Sequence, residues 1–269
     1  MKAILFLILL LPFSVKTEDL LEQVLQNDFL KEDIFSQKRQ QQEIKKVSEK
    51  DQYNFPSQSD FFNFMSEYWL VKKIEELKWD KMGVEYGVQD VIRNLFVSLN
   101  LPTPHYRMLL VHSSQFYHGM LPSLDTPIFI ISEPFLRAIN LSKLEIALLF
   151  LENYYRLQAN YFIKKVETTN LKMMLTTNFY PQSVDSKLIK KTLNAYDTIF
   201  FKKGFSLRQQ YEVTKKMAQV LSSKSEILDV YYVMLGKVES LTKNNLYYKN
   251  YNKIYPFASV QQRWLLGKK

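Results

Sequence analysis

Histidines at positions 105, 112 and 118 are the only imidazoles in the 269-residue sequence, and there is no cysteine. A metal centre would have to draw on those three rings and on carboxylates, because imidazole, thiolate and carboxylate are the side chains that hold zinc and its neighbours. The placement is poor for that purpose. His112 and His118 stand six residues apart across His-Ser-Ser-Gln-Phe-Tyr-His, and His105 precedes a strand candidate. No pair occupies i and i+4 of a helix. The serine pair and Gly119 argue for a polar loop, so all three read as isolated histidines. The missing cysteine excludes a disulfide framework, a thiolate zinc site, an iron–sulfur cluster and a cysteine nucleophile. No G-x-S-x-G elbow offers a serine nucleophile. The six glycines never cluster into a phosphate-cradling loop. Adjacent acids such as Glu32 and Asp33 read as surface charges rather than a glycosidase pair. What remains is Glu152, a carboxylate inside the apolar run Leu148-Leu149-Phe150-Leu151-Glu152-Asn153-Tyr154-Tyr155. It is either a relic of a catalytic base or a structural acid bonded to a nearby Tyr or Lys.

The elements that would position Glu152 follow from periodicity. Ser142 and Glu145 fit a capping box, in which the hydroxyl accepts from the third helical N–H and the carboxylate reaches back. The helix they open is expected to run over 142–164. Its apolar residues lie on nearly all sides, the mark of a buried helix. Phe61, Met65, Trp69, Ile74 and Leu77 predict a helix over 60–79, and Val84, Val88, Val91, Ile92, Leu95 and Phe96 another over 83–100, stopped by Pro102 and Pro104. Short bounded runs at 106–111 and 127–131 predict two strands. Helical pattern returns after Val166 and continues around Pro181, followed by helices over 206–222 and 224–246. The expected class is α+β, mostly helical, with a small β-sheet packed on a buried central helix.

The first residues bear on the compartment. Met1-Lys2 is followed by eleven apolar residues from Ala3 to Phe13 and then by polar sequence. That order is the order of a secretory signal, and eleven residues are too few to cross about 30 Å of hydrocarbon as a helix. Residues 1–17 are therefore expected to be a signal peptide and the chain to be exported, periplasmic or secreted. Residues 18–55 form a polar helical leader in which Leu20, Leu21, Val24, Leu25, Phe29 and Ile34 recur at helical spacing. Residues 56–269 form one domain. The composition, 46% hydrophobic and 14% aromatic, can bury a core, and the formal charge is +9. Lysines interleave with aromatics at Tyr161–Lys165, Phe200–Lys203 and Leu246–Tyr255. Such a surface suits an anionic membrane, while the export signal argues against nucleic acid.

The order of these elements resembles the zinc metallopeptidases of the HtpX-like and prenyl-protein endopeptidase family. The resemblance runs over residues 83–266. It rests on a helix, a proline break and a strand over 90–110, then Leu121-Pro122 and a second strand over 127–132. The buried helix through Glu152 follows, then Lys203-Gly204-Phe205-Ser206-Leu207, Lys216-Met217, and Tyr255-Pro256 ahead of Arg263. The family carries H-E-x-x-H on the buried helix, a glutamate ligand on a later helix, and a histidine–proline segment before an arginine. The resemblance implies a zincin-like fold with Glu152 at the general base. The histidine positions then fall on Leu151 and Tyr155, and the third ligand, counted back from Gly204, falls near Lys191. Leucine has no lone pair, a neutral phenol of pKa about 10 is a poor ligand, and lysine is a cation where an anion is needed. A base without the metal that lowers the pKa of bound water from about 15.7 to about 7 has nothing to activate.

The sequence thus predicts a metal-free, cofactor-free, catalytically inactive pseudopeptidase that acts by binding a peptide or protein partner in the cell envelope. Its expected cleft is floored by Leu151, Glu152 and Tyr155, with Phe129 and Ile131 on a sheet edge able to accept an extended peptide. Two alternatives stay open: an active zinc-dependent endopeptidase with other ligands, and a basic envelope protein that binds membrane surfaces.

Overall fold

The computed structural model describes residues 57–74, 79–81, 87–124, 126–166, 186–244, 251–255 and 258–266, together with Phe55. The expected signal, the leader up to residue 54 and the helix predicted around Pro181 lie outside them. The architecture is α+β and mostly helical, around one mixed four-stranded sheet.

Helix α1 (Gln58–Lys72) starts at Ser57, whose hydroxyl accepts from the Asp60 N–H. It ends earlier than periodicity predicts. Trp79 is not helical but opens strand β1 (Trp79–Lys81), whose backbone pairs antiparallel with β2 (Arg107–Val111). Helix α2 (Val88–Ser98) begins after Gly87, which sits at φ +54, a conformation cheap only for glycine. It buries Val88, Ile92, Leu95 and Phe96, one stripe of a 3.6-residue repeat. Strand β4 (Ile128–Ser132) pairs parallel with β2 and antiparallel with β3 (His118–Leu121), giving the order β1-β2-β4-β3. The segment around His118 is therefore a strand, not the polar loop expected from Gly119 and the serines. The Tyr117 N–H donating to Ser132 Oγ and the Ser132 N–H donating to the Tyr117 carbonyl lock its start to β4.

Both faces of the sheet are covered, so β2, β3 and β4 read as continuous apolar runs rather than alternating ones. Met108, Leu110, Met120, Phe129 and Ile131 face one layer; Leu109, Val111, Leu121, Ile128 and Ile130 face the other. The first layer is centred on α4 (Lys143–Gln158), which touches β3, α2, α7 (Leu207–Leu221) and α8 (Ser225–Asn244). The capping box of Ser142 and Glu145 is formed, and Lys237 of α8 reaches the same carboxylate. Short helix α3 (Glu133–Ile139) joins β4 to α4. Surrounded on all sides, α4 buries Leu148, Leu149, Phe150 and Leu151 completely, each burial stabilising by about 1.5–3 kcal/mol. It stops at Asn160, at φ +56, so the predicted single helix over 142–164 is α4 followed by α5 (Tyr161–Val166).

The second layer holds α1, α5, α6 (Ser186–Asp197) and a π-helical segment (Thr198–Lys202). Helices α9 (Tyr251–Ile254) and α10 (Ala258–Leu266) close the first layer against the π segment, α7 and α8. Among the described residues no helix is long and apolar enough to cross a membrane.

Candidate functional site

Residues 152, 153 and 156 share one face of α4, and that face carries a buried polar cluster. Glu152 and Arg156 stand one turn apart and form an ion pair, with side chains 0% and 5% exposed. The remaining lone pairs of the carboxylate are taken. Gln210 of α7 donates to Oε1 at 2.8 Å, and the Tyr255 hydroxyl, just past α9, donates to Oε2 at 2.8 Å. The guanidinium donates to Asn153 Oδ1 at 2.8 Å and to Gln210 Oε1 at 2.6 Å, and it lies over the rings of Tyr255 and Phe205. Gln210 also donates to Gln261 of α10 at 2.9 Å. Burial, and then the negative charge of Glu152, push the Tyr255 hydroxyl well above its usual 10, so it stays protonated and remains a donor. A buried carboxylate paired with a guanidinium and capped by an amide and a phenol is compensated in the way buried charge requires.

The network continues to the sheet. Asn153 Nδ2 donates to the Leu149 carbonyl and lies 2.9 Å from His118 Nδ1 on β3. Since Asn153 Oδ1 already accepts from Arg156, the amide nitrogen is the donor and Nδ1 of His118 the acceptor. The ring proton therefore sits on Nε2. Burial, with the Arg156 charge second, holds this imidazole well below its usual 6.5. His118 Nε2 and Arg156 Nε are buried without a hydrogen-bond partner among the described residues. Both side chains line a cavity of about 20 Å³ closed by Phe162, Phe200, Phe205 and Tyr255. That volume suits one water-sized acceptor, whereas small-molecule sites run to about 300–1,000 Å³.

Several residues expected in a cleft lie elsewhere. Phe129 and Ile131 are on β4, an interior strand paired on both sides and fully buried, so no peptide can add there. The edge strands are β1 and β3, and His118, Gly119 and Met120 of β3 line the ~20 Å³ cavity. Leu151 is fully buried in the apolar core. Tyr155 is buried, with its hydroxyl raised to about 12 by burial and then by Tyr154, and the Lys216 ammonium lies over its ring. Lys191 is exposed on α6, in the layer across the sheet from α4, and does not join Glu152. The position facing Glu152 from a later helix is Gln210. Sequence reasoning missed Arg156, Gln210, Gln261 and Tyr255. The i, i+4 spacing of Glu152 and Arg156 was the one local signal available.

The zinc implied by the family resemblance was tested against these donors, and they do not fit. At the aligned positions stand an alkyl chain, a protonated phenol and a distant ammonium. On the face that does converge, the i and i+4 positions are a carboxylate and a guanidinium, and the residue opposite is a neutral amide. A guanidinium cannot be deprotonated to ligate. Among the described residues no three His, Asp or Glu side chains gather to hold an ion. His105 is exposed ahead of β2, and His112 pairs with Glu133.

No family model matches the sequence, and no curated protein matches it. Among solved structures, the chain overlaps the crystal structure of S. mikatae Ste24p with 11% identity and a TM-score of 0.43. The overlap covers 75% of this chain and 54% of that one. The chain spans about half the length of Ste24p. Overlap at that score assigns no family, activity or metal to this chain.

Proposed function

We propose that this protein is a metallopeptidase-like scaffold without metal or hydrolytic activity, exported and acting by binding a peptide or protein partner. The observation that supports the reading is the Glu152–Arg156 pair. The buried helix turns Glu152 and Arg156 toward a later helix, and the guanidinium of Arg156 fills that cluster with Glu152, Asn153 and Gln210 as its acceptors. With both oxygens of Glu152 engaged and only about 20 Å³ open beside the cluster, neither an attacking water nor a peptide has a productive position. Binding then belongs to the surface. A groove of about 940 Å³ lies between α1 and α6, with aromatic side chains on its floor and lysines on its rim.

The test is digestion of a degenerate peptide mixture by the full chain in the presence of added zinc, read by mass spectrometry. No cleavage is expected, from either the native protein or Glu152→Gln. Cleavage by the native protein that Glu152→Gln abolishes would overturn the proposal.

A further inference from the structure

His118 and Arg156 are each more than nine-tenths buried, and both line the same small cavity. Each carries one polar atom with no hydrogen-bond partner among the described residues. Both atoms are donors. Asn153 engages His118 Nδ1, which leaves the ring proton on Nε2. The terminal nitrogens of Arg156 donate to Glu152, Asn153 and Gln210, which leaves the Nε–H. A buried donor in a native fold is normally met by a protein acceptor, a water or an ion. Two of them beside one enclosed space point to a ligand that accepts from both.

The class of that ligand follows from donors, size and charge. The cavity, about 20 Å³, has room for one water-sized particle. A water would accept both hydrogens but brings two protons of its own, and the lining offers no side-chain acceptor that lacks a partner among the described residues. A halide ion only accepts. The surrounding charge has the matching sign. Two cations lie over the Phe205 ring in the cavity wall, Arg156 at 5.5 Å and Lys165 at 5.7 Å. Lys165 donates to the Lys203 carbonyl at 2.7 Å, and burial, followed by the Lys203 charge, lowers its ammonium to about 8. Against these three cations the cluster holds one carboxylate, Glu152. The excess of positive charge offsets the desolvation that otherwise keeps an anion out of an interior. Met120, Phe162, Ile199 and Phe200 make the rest of the wall apolar, which favours a weakly hydrated ion such as chloride or bromide over fluoride. We propose that His118 Nε2–H and Arg156 Nε–H together hold one halide ion in the cavity between β3, α4 and the π-helical segment. The bound ion ties the edge strand to the buried helix. The inference involves neither peptide nor zinc, so its failure leaves the absence of hydrolysis untouched.

The test starts from the full chain dialysed into ammonium acetate to remove halide. Bromide then replaces acetate at constant ionic strength, and the side-chain N–H resonances of nitrogen-15 histidine- and arginine-labelled protein are followed. His105 and His112 are exposed, so the exchange-protected imidazole signal belongs to His118. That signal and the Arg156 Nε–H are expected to shift together and saturate at one midpoint. The same series raises Tm, as a ligand of the folded state does, and His118→Phe, which removes one donor, abolishes the rise. Anomalous diffraction from native crystals grown in bromide gives the same answer without a variant: the expected peak lies within hydrogen-bond distance of both nitrogens. Three results would overturn the inference: protected signals that bromide does not move, a bromide-dependent Tm retained in folded His118→Phe, or a cavity holding a water with no anomalous signal.

Discussion

Replacing Arg156 by Met keeps most of the side-chain volume and removes the charge from the centre of the polar cluster. The cost follows from what is left behind. Glu152 is fully buried and loses the cation paired with it, while Asn153 Oδ1 and Gln210 Oε1 lose a donor. Breaking a buried pair from one side costs about 3–5 kcal/mol, a large share of the 5–15 kcal/mol typical of a domain. For a chain of this size that corresponds to a fall in Tm of roughly 6–20 °C. The companion variant Glu152→Gln/Arg156→Met removes the stranded charge as well. It retains a hydrogen-bonding partner for Gln210 and Tyr255 and leaves the same two orphaned oxygens as the single variant, so the two variants differ by the stranded charge alone. The double variant should therefore be more stable than Arg156→Met by about 2 kcal/mol, measured by equilibrium urea unfolding followed by circular dichroism. An Arg156→Met loss under about 1 kcal/mol, or a double variant no better than the single, would refute the view that the two side chains compensate each other in a dry interior.

Three further outcomes are expected. The folded state holds His118 well below its unfolded 6.5, so it binds fewer protons than the unfolded chain; stability contributed here is full above about pH 6.5 and declines as pH falls, by at most about 1.4 kcal/mol per pH unit. Denaturation across that range should show His118→Asn with a shallower acid slope than the native chain, and equal slopes would contradict the assignment. Gly204→Ala would put a methyl 1.7 Å from the Ile254 carbonyl oxygen, where the Gly204 N–H already donates to Lys253; the variant should lose at least the roughly 1–3 kcal/mol of an overpacked site, and a native-like Tm would show that α9 does not press on Gly204. Burial, and then Lys203, lower Lys165 to about 8, so an amine-acylating reagent at about pH 8 should modify Lys165 ahead of exposed Lys164; equal rates by peptide mass mapping would speak against it.

The mostly helical α+β class is readable from the sequence because its strongest signals are local. The Ser142–Glu145 box, the stripe of α2 and the apolar wrapping of α4 each depend on residues within a few turns. The failures come from long-range partners. Trp79 is a strand residue only because β2 offers a free edge, and His118 is a strand residue because β4 lies beside it. The site was half legible. Glu152 stands out as a carboxylate in an apolar run, but its meaning is fixed by Gln210, Tyr255 and Gln261, which arrive from 58 to 109 residues away along the chain and carry no local pattern. Counting back from Gly204 led to Lys191, which the sheet separates from α4. A count along the sequence cannot see that separation, whereas the pairing of Glu152 with Arg156 was visible as a one-turn spacing.

The central claim of the proposal is that the Arg156 guanidinium fills the buried cluster around Glu152, so that the cluster takes up no metal ion. Native mass spectrometry of the full chain, after incubation with excess zinc and removal of loosely held metal, addresses it most directly. The account predicts the mass of the bare polypeptide and a Tm unmoved by chelator. A stoichiometric zinc adduct that survives washing and disappears in Glu152→Gln would contradict it.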